Sequence, residues 1–374
     1  MKKFIYLSII AVTIIIMFIG CGKNEETNNQ EITQKPNATE EPNHTAGATN
    51  KPKGTTDIND NKVTKEHDNS QNTNMEQDEI KQKAFKEIDF GRDHIVALKQ
   101  NGEVIAWGDN SKGQCNVPKN IKKIVSISTG FYHSLAIQSD GSVIAWGDNS
   151  KGQCNVPKNI NNVKDIAVGI FHSVALLENG SVVMWGDNEY NQQDIPKGLS
   201  NVTKIVAAGT HTSALKQNGE IITWGDDSDG EDLYYVYDTP ENIGKCIDIS
   251  TFGTHIIALQ SDNTLVGWGR AYGGETNIPE GLKDVSSIST GFGVSIALKN
   301  DGKFTVIDPT RRKNYYYYED IFENATYVAA GWYVVGIILE NGQLVILGED
   351  VCRFYNKELD NVTLFEIYNP PVPY

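Results

Sequence analysis

An eighteen-residue sequence, VIAWGDNSKGQCNVPKNI, occurs twice without change, at residues 104–121 and at 143–160. The two copies begin 39 residues apart, and looser copies follow with a similar period almost to the end of the chain. Repeats of this length are typical of one supersecondary unit that cannot bury its apolar surface alone and must stack against neighbours. Any function is therefore expected on a surface that several units share.

Each unit is organised around a two-residue turn between two short apolar runs, which predicts a β-hairpin. Seven such pairs lie 39 to 44 residues apart: Asn101-Gly102, Asp140-Gly141, Asn179-Gly180, Asn218-Gly219, Asp262-Asn263, Asp301-Gly302 and Asn341-Gly342. A third run precedes each hairpin, and a fourth, such as CNVP, ends in proline as an edge strand would. Four short strands in each of seven units predict an all-β fold, a seven-bladed β-propeller of four-stranded repeats over residues 81–374.

The two ends of the repeat array carry similar sequences. Residues 85–90 form the first-strand run of the first unit, and an extra copy of that run follows the seventh unit at 362–367. One of these segments is therefore expected to complete a blade that begins at the other end of the chain. The sequence leaves open which one does so.

The units resemble regulator of chromosome condensation repeats. The motif G-x-x-H-S continues into W-G-D-N-x-x-G-Q, as from Gly130 and His133 through Trp146 to Gln153. The short unit and its Val-Pro ending are most similar to secreted bacterial members of this family. One of them is a β-lactamase-inhibitory propeller, which binds enzymes with the loops of one face. The resemblance therefore implies a propeller that binds proteins.

The N-terminus has the features of a secretion signal. Lys2 and Lys3 precede sixteen mostly apolar residues, 4–19, and Gly20-Cys21 then leads into a polar tract. The segment resembles a bacterial lipoprotein signal, which implies removal of residues 1–20 and lipidation of Cys21. The alternative is an uncleaved membrane anchor, but sixteen residues are fewer than the roughly 17–25 that a spanning helix needs.

Residues 21–80 are rich in Asn, Thr, Glu, Lys and Gln and show no apolar periodicity. Such a segment cannot bury enough apolar surface to offset its chain entropy, so it is expected to be a disordered tether. Together with the signal, it predicts a domain anchored by lipid on the extracytoplasmic face of a bacterial cell membrane.

Charge and cysteine content narrow the function classes. The formal net charge is −15, whereas a nucleic-acid-binding domain normally presents a basic face, so no nucleic-acid partner is expected. Cys115 and Cys154 occupy the same position in successive units and are thus about one unit apart, too far to pair. They are expected to act as small, partly buried apolar residues.

Five histidines occur once per unit, seven residues before the turn: His94, His133, His172, His211 and His255. Equivalent positions in neighbouring blades are too far apart to bind one metal ion at about 2 Å. Each is expected to be a half-buried imidazole bonded to backbone within its own blade. The tryptophans before Gly in the third strands are expected to pack between blades.

We expect no metal site, no cofactor and no catalytic residue. The acidic segment 226–238 departs from the spacing of a calcium-binding loop, which favours a solvated loop over a calcium site.

The loops after the first and third strands of each unit should emerge on the same side, because strand direction alternates. These loops carry the candidate ligand-binding residues, which are aromatic and belong to several units: Phe131, Tyr132, Phe171, Tyr190, Tyr272, Trp332 and Tyr333. Aromatic side chains mixed with carboxylates are typical of protein-binding surfaces. The alternative, that some of these rings only fill space between blades, remains open.

The sequence therefore predicts a monomeric, non-enzymatic lipoprotein that binds a protein on or outside the cell surface. Inhibition of a secreted or wall-associated enzyme such as a β-lactamase is one concrete form. An enzyme, a lyase or hydrolase with a site on the propeller axis, is an alternative. Guanine-nucleotide exchange is a further alternative, which export from the cytoplasm disfavours.

Overall fold

The computed structural model describes residues 84–225, 239–253, 255–269, 274–307, 319, 321–348, 351, 359 and 361–366. Several sequence predictions lie outside these residues: the signal 1–20 with the tether 21–80, Cys21, the acidic segment 226–238 and Tyr272. The regular elements in the described part are 22 β-strands arranged in seven sheets. No described helix is long and apolar enough to cross a membrane.

The sheets, called blades 1 to 7 in chain order, share one antiparallel arrangement of first, second and third strands. The first strands are β1 (Phe85–Phe90), β4 (Ile124–Thr129), β7 (Val163–Val168), β10 (Val202–Ala208), β13 (Cys246–Phe252), β16 (Val285–Thr290) and β19 (Ala325–Ala330). The second strands are β2 (His94–Lys99), β5 (His133–Gln138), β8 (His172–Leu177), β11 (His211–Lys216), β14 (His255–Gln260), β17 (Ser295–Lys299) and β20 (Val334–Leu339). The third strands are β3 (Val104–Gly108), β6 (Val143–Gly147), β9 (Val182–Gly186), β12 (Ile221–Gly225), β15 (Leu265–Gly269), β18 (Phe304–Ile307) and β21 (Leu344–Gly348). A final strand, β22 (Val362–Glu366), follows β21.

The two-residue turns join second and third strands as the sequence predicts. In blade 2, the Gly141 amide donates to the Gln138 carbonyl over 2.9 Å, and Gly141 has a φ of 77°. That left-handed backbone favours glycine, which explains the Gly in six of the seven turn pairs.

The fourth run of each unit differs from the expectation. Six of the seven described sheets have only three strands, because runs such as CNVP do not enter the ladder. Instead, the Val117 amide bonds the Cys115 carbonyl at 3.0 Å, and Val156 bonds Cys154 at 3.0 Å. Bonds between residues two apart close tight γ-turns, and the proline that follows has no amide to donate to a ladder.

The blades close into a ring around an axis. First strands contact each other in the order β1, β4, β7, β10, β13, β16, β19, and β19 contacts β1. In blades 2, 3, 6 and 7, the amide of the first residue bonds the turn carbonyl of the blade before it, as from Val163 to Gly141 at 3.1 Å. Phe85 of blade 1 makes the same bond to Gly342 of blade 7 over 3.1 Å, so the junction that closes the ring is built in the same way.

The prediction that one terminal segment would complete a blade from the opposite end of the chain is wrong. β1 is the first strand of its own blade, and β22 pairs in parallel with β21 as the outermost, fourth strand of blade 7. β22 therefore occupies the outer position that the other units leave to the proline-ended run. Gln343 Nε2 secures it by donating to Thr363 Oγ1 at 2.8 Å.

The core lies between adjacent blades, as expected for small sheets that need a neighbour on each face. One apolar cluster joins Leu135 and Ile137 of blade 2 to Val163, Ile166 and Trp185 of blade 3. The tryptophans are buried, and their indoles bond to the previous unit: Trp146 Nε1 donates to the Gln114 carbonyl at 2.9 Å. Trp185 and Trp224 make the same contact to Gln153 and Gln192, at 2.8 and 3.1 Å. This confirms that tryptophans pack between blades.

Candidate binding face

The strand directions give the propeller two faces of different character. The loop face carries the loops after the first and third strands, and the turn face carries the two-residue turns. Seven aromatic residues at the loop-face ends of the first strands form what we call the aromatic platform: Phe131, Tyr132, Phe171, Phe252, Phe292, Trp332 and Tyr333. All seven side chains are partly exposed.

Ring contacts connect the platform across the propeller axis. Phe131 of blade 2 stacks with Phe252 of blade 5 at a centroid distance of 6.0 Å and meets Trp332 of blade 7 edge-on at 6.0 Å. Trp332 stacks on Phe292 with centroids 4.2 Å apart and planes 14° from parallel. Tyr132 extends the network outward by stacking with Phe171 at 6.1 Å. Residues from five blades thus form one continuous apolar surface.

Backbone strain marks one corner of the platform. Tyr333 has a φ of 56°, a left-handed conformation that is unfavourable for a bulky residue. Its amide donates to the Phe292 carbonyl at 2.9 Å, and its ring lies against Gly293, where an added Cβ would come within 2.1 Å of the ring. The neighbouring blade therefore holds Tyr333 in this orientation.

Arg92 of blade 1 lies at the edge of the platform. Its guanidinium is 5.7 Å from the centroid of the Trp332 ring, and its Nη1 donates to the Tyr132 hydroxyl at 2.8 Å. Its Nε lies 3.3 Å from Asp93 Oδ2, in a pair whose side chains are 45% and 44% exposed. A cation thus faces solvent beside an aromatic surface.

The structure brings five of the seven predicted site residues into this network: Phe131, Tyr132, Phe171, Trp332 and Tyr333. Tyr190 lies in a different loop, after β9, where its amide donates to Gln192 Oε1 at 2.8 Å. Tyr272 lies outside the described residues. Phe252, Phe292 and Arg92 were not among the candidate binding residues. Arg92 and Phe292 occupy the loop position that holds Phe131 in blade 2, and Phe252 occupies the preceding position, which holds Gly130.

The loops after the third strands add a carboxylate near this face in each early unit. Asp109 accepts bonds from the Ser111 hydroxyl at 2.8 Å and from Gln114 Nε2 at 2.7 Å. Asp148 repeats the pattern with Ser150 and Gln153, at 2.8 and 2.9 Å. These bonds lower the pKa of Asp109, so the carboxylate is charged at neutral pH.

The histidines have the predicted structural role, but the predicted half-burial and the predicted backbone partner within the same blade are both wrong. The side chains are fully buried, and their Nε2 atoms bond a hydroxyl of the next blade: His94 to Ser134 at 3.2 Å, His133 to Ser173 at 2.9 Å, His172 to Thr212 at 3.0 Å and His211 to Thr251 at 3.0 Å. Ser173 Oγ itself donates to the Gln153 carbonyl at 2.8 Å, so His133 Nε2 must carry the donated proton. Burial lowers the pKa of His133 to about 3 and that of His172 to about 4, so both are neutral.

A second polar region surrounds the propeller axis. The cavity there has a volume of about 190 Å³ and is lined by the first strands, with Phe131 and Phe252 at its loop-face end. Burial raises the pKa of Asp89 to about 6 and that of Glu87 to about 7. Both carboxylates accept bonds from blade 2, since Asp89 Oδ2 receives the Thr129 amide at 2.7 Å and Glu87 Oε1 the Ser126 hydroxyl at 3.1 Å.

These axial residues were not among the residues predicted from the sequence. The available signal was the third position of every first strand, where polar or tyrosine residues interrupt an apolar run: Glu87, Ser126, Asp165, Lys204, Asp248, Ser287 and Tyr327. Asp165 bonds the Ile205 amide at 3.2 Å, and Lys204 pairs with Asp248. Glu87 and Asp165 thus accept from first-strand amides of the next blade, those of Ile127 and Ile205, and so connect one blade to the next.

The described cysteines show no sign of reactivity. Cys115 Sγ and Cys154 Sγ each donate to a backbone carbonyl of their own loop at 3.2 Å. Burial raises the pKa of the Cys115 thiol to about 11 and that of Cys154 to about 12. Both are free thiols in partly buried positions, as expected for small apolar residues. Within the described residues, no cluster of His, Cys, Asp and Glu has the arrangement of a metal site.

Solved structures share this fold at low sequence identity. Human WBSCR16 matches with a TM-score of 0.53 and 19% identity over 66% of this chain and 84% of that one. Prp20p from Saccharomyces cerevisiae matches with a TM-score of 0.53 and 19% identity over 66% and 80%. The ectodomain of the Physcomitrella patens receptor kinase CR4 matches with a TM-score of 0.57 and 15% identity over 71% and 74%. No curated protein sequence matches the chain.

The family model of the regulator of chromosome condensation (RCC1) repeat matches three consecutive segments, 85–114, 124–153 and 163–192. Each segment begins at or beside the first strand of a blade and ends in the loop after its third strand. The matched units therefore coincide with blades 1 to 3 of the ring. The chain is a β-propeller whose first three blades match the regulator of chromosome condensation repeat.

Proposed function

We propose that this protein binds another protein through the loop face and performs no catalysis. The observation that carries the proposal is the aromatic platform, in which side chains from five blades form a continuous, partly exposed surface beside Arg92. Aromatic residues and arginine are enriched at the centres of protein interfaces, and the acidic third-strand loops provide a polar rim.

The comparison with Prp20p supports a protein as the ligand. The structure of Prp20p was described with its binding to Gsp1p and histones. Fold similarity does not transfer a binding partner, because function depends on the surface carried by each propeller. The comparison supports protein binding by this chain because the chain has a suitable surface of its own, the aromatic platform.

The location that we propose is the extracytoplasmic side of a bacterial membrane, with a lipid on Cys21. The charged and apolar residues before Cys21 and the polar tract after it support this anchoring. Cys21→Ala should release the protein or leave an unprocessed precursor, as detected by detergent partitioning and by mass. Unchanged processing and partitioning would contradict the lipid anchor.

An enzyme with an axial site is the main alternative, and the buried carboxylates Glu87 and Asp89 are its best candidates. Their oxygens are already used as acceptors for blade 2, which supports a structural role for both. Guanine-nucleotide exchange gains no specific support from the loop face. Binding to a secreted or wall-associated enzyme, such as a β-lactamase, stays the most concrete form of the proposal.

The experiment uses the full-length protein to capture secreted and surface proteins, with a purified β-lactamase tested directly for binding and inhibition. Tyr132→Ala, Phe171→Ala, Tyr272→Ala and Trp332→Ala should each weaken the captured complex at least tenfold, or about 1.4 kcal/mol. Ile247→Ala is the matched control, because it truncates an exposed apolar residue at the turn-face end of the strand that ends in Phe252.

Lys99→Ala provides a second control on the turn face, where Lys99 pairs with the nearby Glu103 at 3.1 Å. A partner whose affinity survives all four loop-face changes but falls with Ile247→Ala or Lys99→Ala would refute the proposed face. Steady turnover of a substrate that depends on Glu87 or Asp89 would support the enzyme instead.

A further inference from the structure

Arg92 is held in place before any partner binds. The Tyr132 hydroxyl accepts from its Nη1, and the Trp332 ring lies under its guanidinium. Both supports are themselves fixed, since Tyr132 stacks with Phe171 and Trp332 stacks with Phe292. A free arginine loses considerable rotamer entropy on binding, whereas an arginine held in advance loses little.

The guanidinium keeps unused hydrogen-bonding capacity. It has five N–H donors, and the described contacts employ one at Tyr132 and one at Asp93. The contact with Asp93 is a solvent-exposed ion pair, which contributes little and can be shared or replaced. A carboxylate is the group that a planar guanidinium recognises best, through two parallel hydrogen bonds.

We infer that Arg92 anchors an acidic side chain, Asp or Glu, which a loop of the partner protein presents next to an apolar residue seated on the aromatic platform. This inference rests on the proposed function and deepens it by naming the chemistry of the partner. Arg92 is a cation among aromatic rings, whereas the surrounding third-strand loops carry Asp109, Asp148 and Asp187. Lys151 of these loops is already paired with Asp187 and Glu189. An acidic residue of the partner is therefore favoured at Arg92, the cation that contacts the aromatic platform.

A side chain fits this site better than a chain terminus. A terminal carboxylate is usually captured by a nest of free backbone amides. In the first loops of blades 1, 2, 3 and 7, the glycine amides are used internally: Gly91 donates to the His94 carbonyl at 2.9 Å, Gly130 to His133 at 2.9 Å, Gly169 to His172 at 3.0 Å and Gly331 to Val334 at 2.8 Å. Recognition of the carboxylate is thus left to the arginine.

The probe is a displayed library of random peptides fused at their C-termini, so that no peptide offers a terminal carboxylate. Full-length wild-type protein, Arg92→Gln and the matched turn-face variant Lys99→Gln are used for selection in parallel. Wild type and Lys99→Gln should enrich peptides in which Asp or Glu adjoins an aromatic or large aliphatic residue. Arg92→Gln should not enrich them.

One enriched peptide, synthesised with an amidated C-terminus, is then measured in a double-mutant cycle. Arg92→Gln and replacement of the acidic residue by its amide should each weaken binding at least tenfold, or about 1.4 kcal/mol. The combined change should cost little more than either alone, because both remove the same contact. Arg92→Lys, which keeps the charge but not the fork, should bind between the two, and unfolding curves verify that each variant is folded.

The outcomes separate this inference from the proposed function. Peptides that need Trp332 but lack a carboxylate, or that bind Arg92→Gln as well as wild type, overturn the inference and leave the binding face intact. Peptides insensitive to both Trp332→Ala and Arg92→Gln contradict the binding face and the inference with it. Failure of wild type to enrich any peptide also overturns the inference.

Discussion

Removal of the Ser173 hydroxyl tests the bonds that connect one blade to the next. Ser173 Oγ accepts from His133 Nε2 at 2.9 Å and donates to the Gln153 carbonyl at 2.8 Å, and all these groups are buried. In Ser173→Ala, the Gln153 carbonyl keeps its bond from Trp185 Nε1 at 2.8 Å, but the imidazole N–H loses its acceptor. One unsatisfied buried donor costs about 1–3 kcal/mol, which is the expected loss in free energy of unfolding.

Ser295→Ala is the matched control for that change. Ser295 occupies the same strand position in blade 6 and is fully buried, yet its hydroxyl has no hydrogen-bond partner among the described residues. Removing it should leave the stability unchanged or slightly increased, because an unpaired polar group leaves the core. Urea unfolding of both variants, followed by tryptophan fluorescence with checks that the slopes match, gives the comparison. Equal destabilisation by the two substitutions would refute the argument.

Three further outcomes follow from burial and charge. Gly169→Ala should destabilise the fold by about 1–3 kcal/mol, because the added Cβ would lie 2.1 Å from the His172 ring. A second substitution, His172→Val, introduces the residue found at positions 294 and 334 and should recover part of that loss, as measured by urea unfolding. Burial lowers the pKa of the five blade histidines to about 3 or 4, so as pH falls the unfolded state takes up protons before the folded state does. The free energy of unfolding should therefore fall as pH drops from about 6.5 towards 4, by up to about 1.4 kcal/mol per pH unit for each histidine. Unfolding measured at a series of pH values checks this. Glu87 has the opposite effect, because its pKa is raised to about 7. Its contribution to stability is complete below about pH 4.5 and is lost as pH rises through 7. Between pH 5 and 8, Glu87→Gln should therefore lose less stability than the wild type.

The fold could be predicted from the sequence because the repeated turn pairs and apolar runs show where each unit begins and ends. Each turn pair fixes one hairpin, and seven hairpins with a shared apolar pattern require neighbours on both sides. The fourth strand was predicted less well, since the run CNVP has the apolar character of a strand while its amides close turns within the loop. The position of β22 depends on a parallel pairing with β21, and a local pattern does not show such a pairing.

The site was predicted only in part, for a physical reason. Phe131 and Trp332 are about two hundred residues apart in sequence and meet because ring closure brings the first loops of blades 2 and 7 together near the axis. The sequence shows which loops carry rings but not which rings touch. Arg92 was not identified because its significance comes from Trp332 and Tyr132, whereas in sequence it stands beside Asp93 as an ordinary surface ion pair.

The late blades show how the platform and the ring depend on each other. The histidine bond connects blades 1 to 5, but Val294 and Val334 replace histidine in blades 6 and 7. At the junction of blades 6 and 7, platform residues add contacts: the Tyr333 amide bonds the Phe292 carbonyl at 2.9 Å, and Trp332 stacks on Phe292 at 4.2 Å. The Ala330 amide also bonds Ser289 Oγ there at 2.9 Å. The aromatic departures from the repeat therefore strengthen a junction that lacks the histidine bond as well as supply a surface.

That dual role predicts a difference between two platform residues. Trp332→Ala should weaken partner binding and also destabilise the fold, because it removes the stacking between blades 6 and 7. Truncating a buried aromatic residue lowers the free energy of unfolding by up to about 3–5 kcal/mol, and truncating a half-exposed one lowers it by less. Tyr132→Ala should weaken binding with a smaller loss of stability, since the junction of blades 2 and 3 keeps the bond from His133 to Ser173. Urea unfolding and affinity measured on the same preparations provide both quantities. Equal losses of stability in the two variants would show that the junction of blades 6 and 7 is held by other contacts.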